Sequence, residues 1–228
     1  MIKIGIISAM ELEIEYIKEK MSDVQKYIIK GITYSTGYID NIEIVLGVCG
    51  IGKVNAAIYT QIMIDKFEVN YIINTGIAGS MSSDVKHLDI VVSKDLTYYD
   101  VRKEQLKSCY PYQEYFIADE NLINYAAKSI KGNSDFHIGT IITGDDFIAE
   151  KLKKDALCER YNALCVEMEG ASIAHTAFIN EIPFIVIRCI SDTADDDASS
   201  DYKNFEQIAA KKASLLVVDM VKMMEFTK

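Results

Sequence analysis

Short apolar runs rich in Ile and Val recur at Ile2–Ser8, Ile42–Val48, Tyr71–Asn74, Leu88–Ser93, Ile138–Thr143 and Phe184–Ser191, and they restrict the fold more than any other feature. Each is strand-sized, and most are apolar on both faces of the pleat. A strand buried on both faces needs cover on each side, which is the habit of a central sheet flanked by helices. Between the runs the apolar spacing becomes helical. Glu11–Lys20 sets Leu12, Tyr16 and Ile17 near one face, and Lys53–Lys66 carries Val54, Ala57, Ile58, Ile62 and Met63. Glu120–Ile130, Asp146–Leu157, Glu169–Asn180 and Asn204–Glu225 complete the set. Strands alternating with helices predict an α/β sandwich around a mostly parallel or mixed sheet. Tyr27–Asp40 alternates more loosely and ends in Tyr-Ile-Asp-Asn, which reads as a hairpin into Ile42.

With 228 residues, two prolines, twelve glycines and no repeat or low-complexity tract, the chain is expected to form a single domain over 1–228. Its formal net charge of −10 repels a phosphate backbone and an anionic bilayer, so neither a nucleic acid nor a membrane is an expected partner. No apolar stretch is long enough to span a bilayer. The apolar start MIKIGIISAM runs straight into acidic residues without a cleavage signal, and reads as a buried first strand. Five scattered cysteines (Cys49, Cys109, Cys158, Cys165, Cys189) include no C-x-x-C pair. They point to free thiols in a reducing, cytoplasmic setting rather than to disulfides or a zinc site.

Several segments combine strand ends with polar or small residues. Glu11, Glu13 and Glu15 follow the first strand, where ligands bind in open α/β sheets, although acidic residues also suit a helix N-terminus. Asn74–Gly79 (Asn-Thr-Gly-Ile-Ala-Gly) reads as a strand-to-loop turn whose small residues permit close backbone approach to a ligand. Gly47–Val54 resembles a phosphate-binding loop but ends in Val54 where a magnesium-binding hydroxyl is needed, leaving a strand–turn–helix junction. Asp195, Asp197, Ser199, Asp201 and Glu206 have a calcium-loop register but lack its glycine, and read as a solvated acidic loop. Arg188 and Asp192 lie four apart near the end of a buried strand, where a carboxyl group of raised pKa could donate a proton. The alternative is a structural Arg–carboxylate pair. His87, His137 and His175 show no metal-ligand spacing, and no nucleophile elbow is present.

Taken in order, the stretches KIGIISAMELEIE, GIGKVNAA, YIINTGIAG, DIVVSKDLTYYD, TGDDFIA, VEMEGASIAH and PFIVIRCISDTAD resemble the methylthioadenosine/S-adenosylhomocysteine nucleosidase family of the nucleoside phosphorylase/hydrolase superfamily, over nearly the whole chain. The resemblance implies a three-layer α/β sandwich around a mixed sheet, no cofactor or metal, an adenine nucleoside as substrate, and a homodimer. It implies that Asp192 protonates adenine N7 with Ser191 orienting it, and that Glu13 activates water held with the help of Arg188. Glu169 would grip the ribose hydroxyls with Met168 against the sugar. Phe147 would stack on the purine while the Ile148 backbone reads its edge. Ala78 and Gly79 would bring backbone against the nucleoside, and Met10, Ile51 and Tyr202 would enclose a 5′-thioether.

Two departures from the family pattern stand out. Ile77 occupies the place of a common Ser, and the loop over 99–116 diverges from the usual Y-H-D-x-D-V-T-x-F-G-Y. That loop supplies Leu106, Tyr110, Pro111, Tyr112, Tyr115 and Phe116, which are expected to roof the neighbour's 5′ pocket across a two-fold. The alternative reading is a purine nucleoside phosphorylase, or a nucleosidase for a related metabolite such as futalosine. Phosphorolysis needs clustered cations for a dianion, and these segments offer Arg188 nearly alone.

Overall fold

The computed structural model describes residues 2–130, 135–196 and 198–224. In chain order the strands are β1 (Lys3–Ser8), β2 (Ser22–Ile29), β3 (Ile32–Ile39), β4 (Ile42–Val48), β5 (Tyr71–Ser80), β6 (Ile90–Tyr98), β7 (Phe116–Ile117), β8 (Phe136–Thr143), β9 (Cys165–Glu167) and β10 (Phe184–Asp192). The helices are α1 (Glu15–Lys20), α2 (Lys53–Phe67), α3 (Lys103–Ser108), α4 (Glu120–Ser129), α5 (Lys151–Tyr161), α6 (Gly170–Ile179) and α7 (Ala198–Met223). The strands form one mixed sheet in the order β10-β6-β8-β9-β5-β1-β4-β3-β2, with β10 also pairing β5.

Alternation along the strands divides the core into two layers. Ile4, Ile6, Ile44, Leu46, Ile73, Ile185 and Ile187 face α1, α4 and α7, where Ile17, Leu122, Ala126, Ala213 and Val217 meet them. Ile7, Val45, Ile72, Val91, Val186 and Ile190 face the opposite way, onto Ala56 and Met63 of α2 and Ala171, Ile173 and Ala177 of α6. Helices on both faces of a mixed sheet are the three-layer sandwich expected from the doubly apolar runs.

One feature of the topology creates the site. β5 pairs β10 along its length, but its other edge changes neighbours. Parallel β1 pairs it from Tyr71 to Asn74, and antiparallel β9 takes over at Gly79. Between those points the edge of β5 is left to side chains, at the carboxyl end of β1, where open α/β sheets bind ligands.

The structure corrects several boundaries. Asn74–Gly79 is not a turn: β5 continues through it to Ser80. Tyr27–Asp40 runs into Ile42 through the expected hairpin, but it holds parts of two strands, β2 and β3, joined at Lys30-Gly31, both with positive φ (52° and 83°). β2 is exposed almost throughout and so carries no apolar alternation to reveal it. The helix expected over Glu11–Lys20 breaks into a 3₁₀ turn at Glu11–Glu13 and then α1, which turns Glu13 inward. The helix expected from Asp146 begins only at Lys151, because the preceding segment is tied down by Tyr99, whose hydroxyl donates to the Asp146 carbonyl at 2.6 Å. The final helix begins at Ala198 rather than Asn204, so most of the supposed acidic loop is its first turns, with Asp201 3.0 Å from His87 Nε2. Asp197 and Glu225 lie outside the described residues. α3 and β7 structure part of the 99–116 segment that had been read as loop.

Candidate active site

A cavity of about 450 Å³ opens where β1 and β9 part along β5. Of the thirteen residues named from the sequence as site candidates, all but Ile148 line it. Ile148 is buried beside a smaller adjoining cavity that shares Gly79, Phe147, Met168 and Asp192 with the main one.

Glu13 fills the free edge of β5. The 3₁₀ turn after β1 points its carboxylate into the gap, where Oε1 accepts the Ile77 N–H at 3.0 Å. Oε2 accepts the N–H groups of Ala9 and Met10 at 3.0 and 2.9 Å. Burial raises the Glu13 pKa, opposed by the charge of Arg188 and by these backbone donors. Ser214 of α7 donates to the Glu13 carbonyl and anchors the turn from behind.

Arg188 on β10 is 1% exposed and sits among carboxylates. Its Nη2 donates to Glu167, lies 3.5 Å from Glu169 Oε2, and donates to Asn74 Oδ1 at 2.7 Å. Asn74 Nδ2 in turn donates to the Ile7 carbonyl at 2.9 Å, tying the guanidinium to β1. Arg188 thus forms the structural pair foreseen as an alternative, with Glu167 and Glu169 rather than with Asp192. Its Nε has no protein acceptor among the described residues.

Glu167 lies in the stretch VEMEGASIAH, where the sequence assigns it no role. It organises the junction: its Oε2 accepts the N–H groups of Glu169 and Gly170 at 2.9 and 2.6 Å, and its Oε1 accepts from the Thr143 hydroxyl. Thr143 Oγ1 accepts the Ala171 N–H at 2.8 Å. A carboxylate receiving N–H groups at the start of α6 is also favoured by the helix dipole. No spacing in the sequence reveals this, because β8, β9 and β10 meet only in the fold.

Glu169, the residue before α6, accepts the Gly52 N–H at 2.9 Å, and its pKa is pushed up to about 7. Burial is the main cause, partly offset by Arg188, with the charge of Glu167 adding to the rise. The Gly47–Val54 segment is the expected strand–turn–helix junction, and its turn delivers that Gly52 donor. Asp192 closes β10. Its Oδ2 accepts from Ser191 Oγ at 2.8 Å and its Oδ1 accepts the Ala194 N–H at 2.9 Å, while burial raises its pKa.

Gly76 and Gly79 are required by closeness, not by backbone angle. A Cβ on Gly76 would stand 2.5 Å from Glu13 Oε1 and collide with Arg188 Nη1. On Gly79 it would stand 2.7 Å from Asp192 Oδ1.

The opposite wall is apolar. Tyr202 Oη lies 3.4 Å from Met10 Sδ, and its ring meets Phe147 edge-on at 6.0 Å between centroids. With Ile51 and Met168 these make up the apolar lining of the cavity beside its buried acids. Ile77 keeps the backbone contact with Glu13, and its side chain puts a branched apolar group on the cavity wall where the common Ser would put a hydroxyl. Among the described residues no cluster has the composition of a metal site, and no helix is long and apolar enough to cross a membrane. All five cysteines are free.

A cavity lined by buried carboxylates, one of them held by three backbone N–H groups, and by apolar side chains suits cleavage between a polar heterocycle and a sugar. Comparison with known proteins agrees. The phosphorylase superfamily matches residues 3–222. The 5′-methylthioadenosine/S-adenosylhomocysteine nucleosidase of Staphylococcus carnosus (strain TM300) is 36% identical over 96% of this chain and 99% of its own length. The solved structure of the corresponding S. pneumoniae nucleosidase with a transition-state inhibitor, MT-ImmA, superposes with a TM-score of 0.93 at 33% identity, covering 98% of this chain and 100% of that one. An S-adenosylhomocysteine nucleosidase from Streptococcus pyogenes, in complex with 5-methylthiotubericidin, gives 0.93 and 33% over 99% of this chain and 98% of that one.

Proposed function

This chain belongs to the phosphorylase superfamily, in its 5′-methylthioadenosine/S-adenosylhomocysteine nucleosidase family, and on that premise we propose how its site performs the reaction. The enzyme hydrolyses the N-glycosidic bond of 5′-methylthioadenosine and S-adenosylhomocysteine, releasing adenine and the 5-thioribose sugar. Adenine is a poor leaving group until protonated, and the ribosyl carbon becomes oxocarbenium-like as the bond opens, so an acid and a base must act from opposite sides. Asp192 is the acid. Burial raises its pKa, which favours the protonated form that can donate to N7, and Ser191 fixes its orientation. Glu13 is the base: three backbone N–H groups hold its carboxylate, and the unpartnered Nε of Arg188 helps hold the water it activates.

Glu169 accepts the ribose hydroxyls, with Met168 packed against the sugar. Phe147, 44% exposed at the cavity wall, stacks on the purine, and the backbone at Ile148 reads its edge. Ala78 and Gly79 let the nucleoside approach β5. Met10, Ile51 and Tyr202 receive the 5′-thioether. The observation that carries this reading is the placement of Glu13, Glu169 and Asp192 around one cavity from three distant parts of the chain. In phosphate-free buffer the protein releases adenine together with a free reducing thioribose. Strict dependence on phosphate, with a sugar 1-phosphate product, refutes the assignment of Glu13 as a base acting on water.

The active unit is a homodimer. Val54 and Ile58 on α2, Phe178 and Ile179 on α6, and Tyr110 and Tyr112 expose apolar surface on this chain, the two tyrosines being 70% and 63% exposed. Val54, Ile58, Tyr110 and Ile179 line a groove of about 570 Å³ together with Leu106, while Phe116 turns back into its own core. An apolar surface of this kind is a liability on a monomer and is buried when the same face meets its two-fold copy. Replacing Tyr110 and Tyr112 by Ala raises KM for 5′-alkylthio substrates more than for adenosine. A fully active monomer in sedimentation, or an unchanged substrate ranking, refutes the account of the loop. The five free thiols support a cytoplasmic location.

A further inference from the structure

The wall of the cavity divides by charge. Its interior carries Glu13, Glu167, Glu169 and Asp192, and the one cation among them, Arg188, is already engaged by Glu167 and Glu169. The rim differs. There α7 contributes Ser199 and Lys203, four residues apart and so on one helix face, flanking Tyr202. Because Tyr202 touches Met10, this rim borders the residues that receive the 5′-thioether in the proposed reading. Both side chains are exposed at the mouth. Neighbouring lysines are committed elsewhere: Lys154 to Asp195, Lys151 to Asp155 and Lys153 to Asp146. Among the described residues Lys203 makes no ion pair, so an uncommitted ammonium faces the mouth of an otherwise acidic cavity in a chain of net charge −10.

We propose that Lys203 and Ser199 form a polar subsite that receives a carboxylate at the end of the 5′ substituent, so that the enzyme selects thioethers with an anionic tail over equally long neutral ones. The inference rests on the nucleosidase reading and extends it to the part of the substrate beyond the sulfur. The apolar wall of Met10, Ile51 and Tyr202 suits the thioether itself but offers nothing to a charged tail. The interior carboxylates would repel an anion drawn inward, so such a tail must leave through the mouth, past Lys203. There the ammonium supplies three donors and the Ser199 hydroxyl a fourth, all suited to a carboxylate. S-adenosylhomocysteine carries this group and 5′-methylthioadenosine does not.

A solvent-facing pair of this kind changes binding by about two- to five-fold, since exposed ion pairs are weak. The test compares kcat/KM for two matched synthetic substrates, a 5′-carboxyalkylthio-5′-deoxyadenosine and its methyl ester, with S-adenosylhomocysteine and 5′-methylthioadenosine alongside. At low ionic strength the wild-type enzyme prefers the acid to the ester. Lys203→Ala lowers that ratio by about two- to five-fold, Lys203→Glu lowers it by roughly the square of that factor, and Lys203→Arg retains it. The wild-type preference also fades at about 1 M salt, where the screening length falls to about 3 Å. An acid-to-ester ratio unchanged in both the Ala and Glu variants overturns the subsite and leaves Lys203 a solvated surface residue. A wild-type enzyme that releases adenine from none of the four thioethers refutes the nucleosidase reading itself, so the two failures are distinct.

Discussion

Adding one methyl group at Gly76 tests whether the site depends on backbone closeness between β5 and the buried charges. The new Cβ would stand 2.5 Å from Glu13 Oε1 and 3.1 Å from Glu13 Cδ, and would overlap Arg188 Nη1. Neither neighbour can swing aside. Glu13 is held by the N–H groups of Ala9, Met10 and Ile77, and Arg188 by Asn74, Glu167 and Glu169. Overpacking a tight core costs about 1–3 kcal/mol, which for a domain of this size lowers Tm by roughly 2–12 °C. The catalytic loss is larger, because moving Glu13 by about 1 Å costs on the order of a hundred-fold in rate. Gly139→Ala provides the control. The three atoms nearest its Cβ would all belong to Leu164, with Cδ1 at 2.5 Å, and neither residue lines the cavity. Adenine release followed spectrophotometrically, with thermal melts of both variants, separates the two effects. Gly139→Ala loses stability and keeps its rate, whereas Gly76→Ala loses both. A Gly76→Ala enzyme within about three-fold of wild-type kcat would show that Glu13 need not stay where the backbone holds it, and would remove the basis for calling it the base.

Asp192→Asn nearly abolishes adenine release and Glu13→Gln cripples it, each by about 10²–10⁴-fold, with circular dichroism spectra unchanged; wild-type turnover in either variant removes that residue from the mechanism. Glu169 gives a pH dependence of defined sign. Burial raises its pKa from 4.5 to about 7, so between those values the folded protein keeps a proton that the unfolded chain has released. Its contribution to stability is therefore full below about 4.5 and is lost as pH rises to about 7. Melting wild type and Glu169→Gln across pH 5 to 8 should show a shallower decline in the variant; parallel curves would mean that Glu169 is ionised throughout.

The sandwich was legible because strands buried on both faces leave the same mark wherever they occur: Ile4 and Ile6 serve one layer and Ile7 the other, so the run cannot be half polar. β2 left no mark because its exposed residues answer to no core. Asn74–Gly79 misled for a different reason. Glycines in a strand usually signal a turn or a bulge, yet here they make room for Glu13, Arg188 and Asp192, groups far away in sequence. The candidate site residues were named through resemblance, which carries their combined order along the chain. Glu167 shows its limit: nothing local distinguishes it from a strand-end acid, and its hold on Arg188, Thr143 and the start of α6 exists only once β8, β9 and β10 have met.

The same arrangement explains why water rather than phosphate serves as nucleophile. Two unit charges about 4 Å apart interact by about 4 kcal/mol at an effective dielectric near 20. A phosphate dianion beside Glu13 would meet that repulsion twice over from this carboxylate alone. Among the described residues the nearby compensation is the Arg188 guanidinium, already shared between Glu167 and Glu169. A neutral water meets no such barrier, and in the proposed mechanism it meets a carboxylate whose position three backbone N–H groups fix. Converting this site to phosphorolysis would therefore require removing Glu13 and adding cations at the free edge of β5, where Ile77 and Gly76 leave no side chain to carry one. The exclusion of anions is a property of the interior alone. At the rim, Lys203 reverses the sign of the charge, so one cavity can refuse an anionic nucleophile at its centre and still welcome an anionic tail at its mouth.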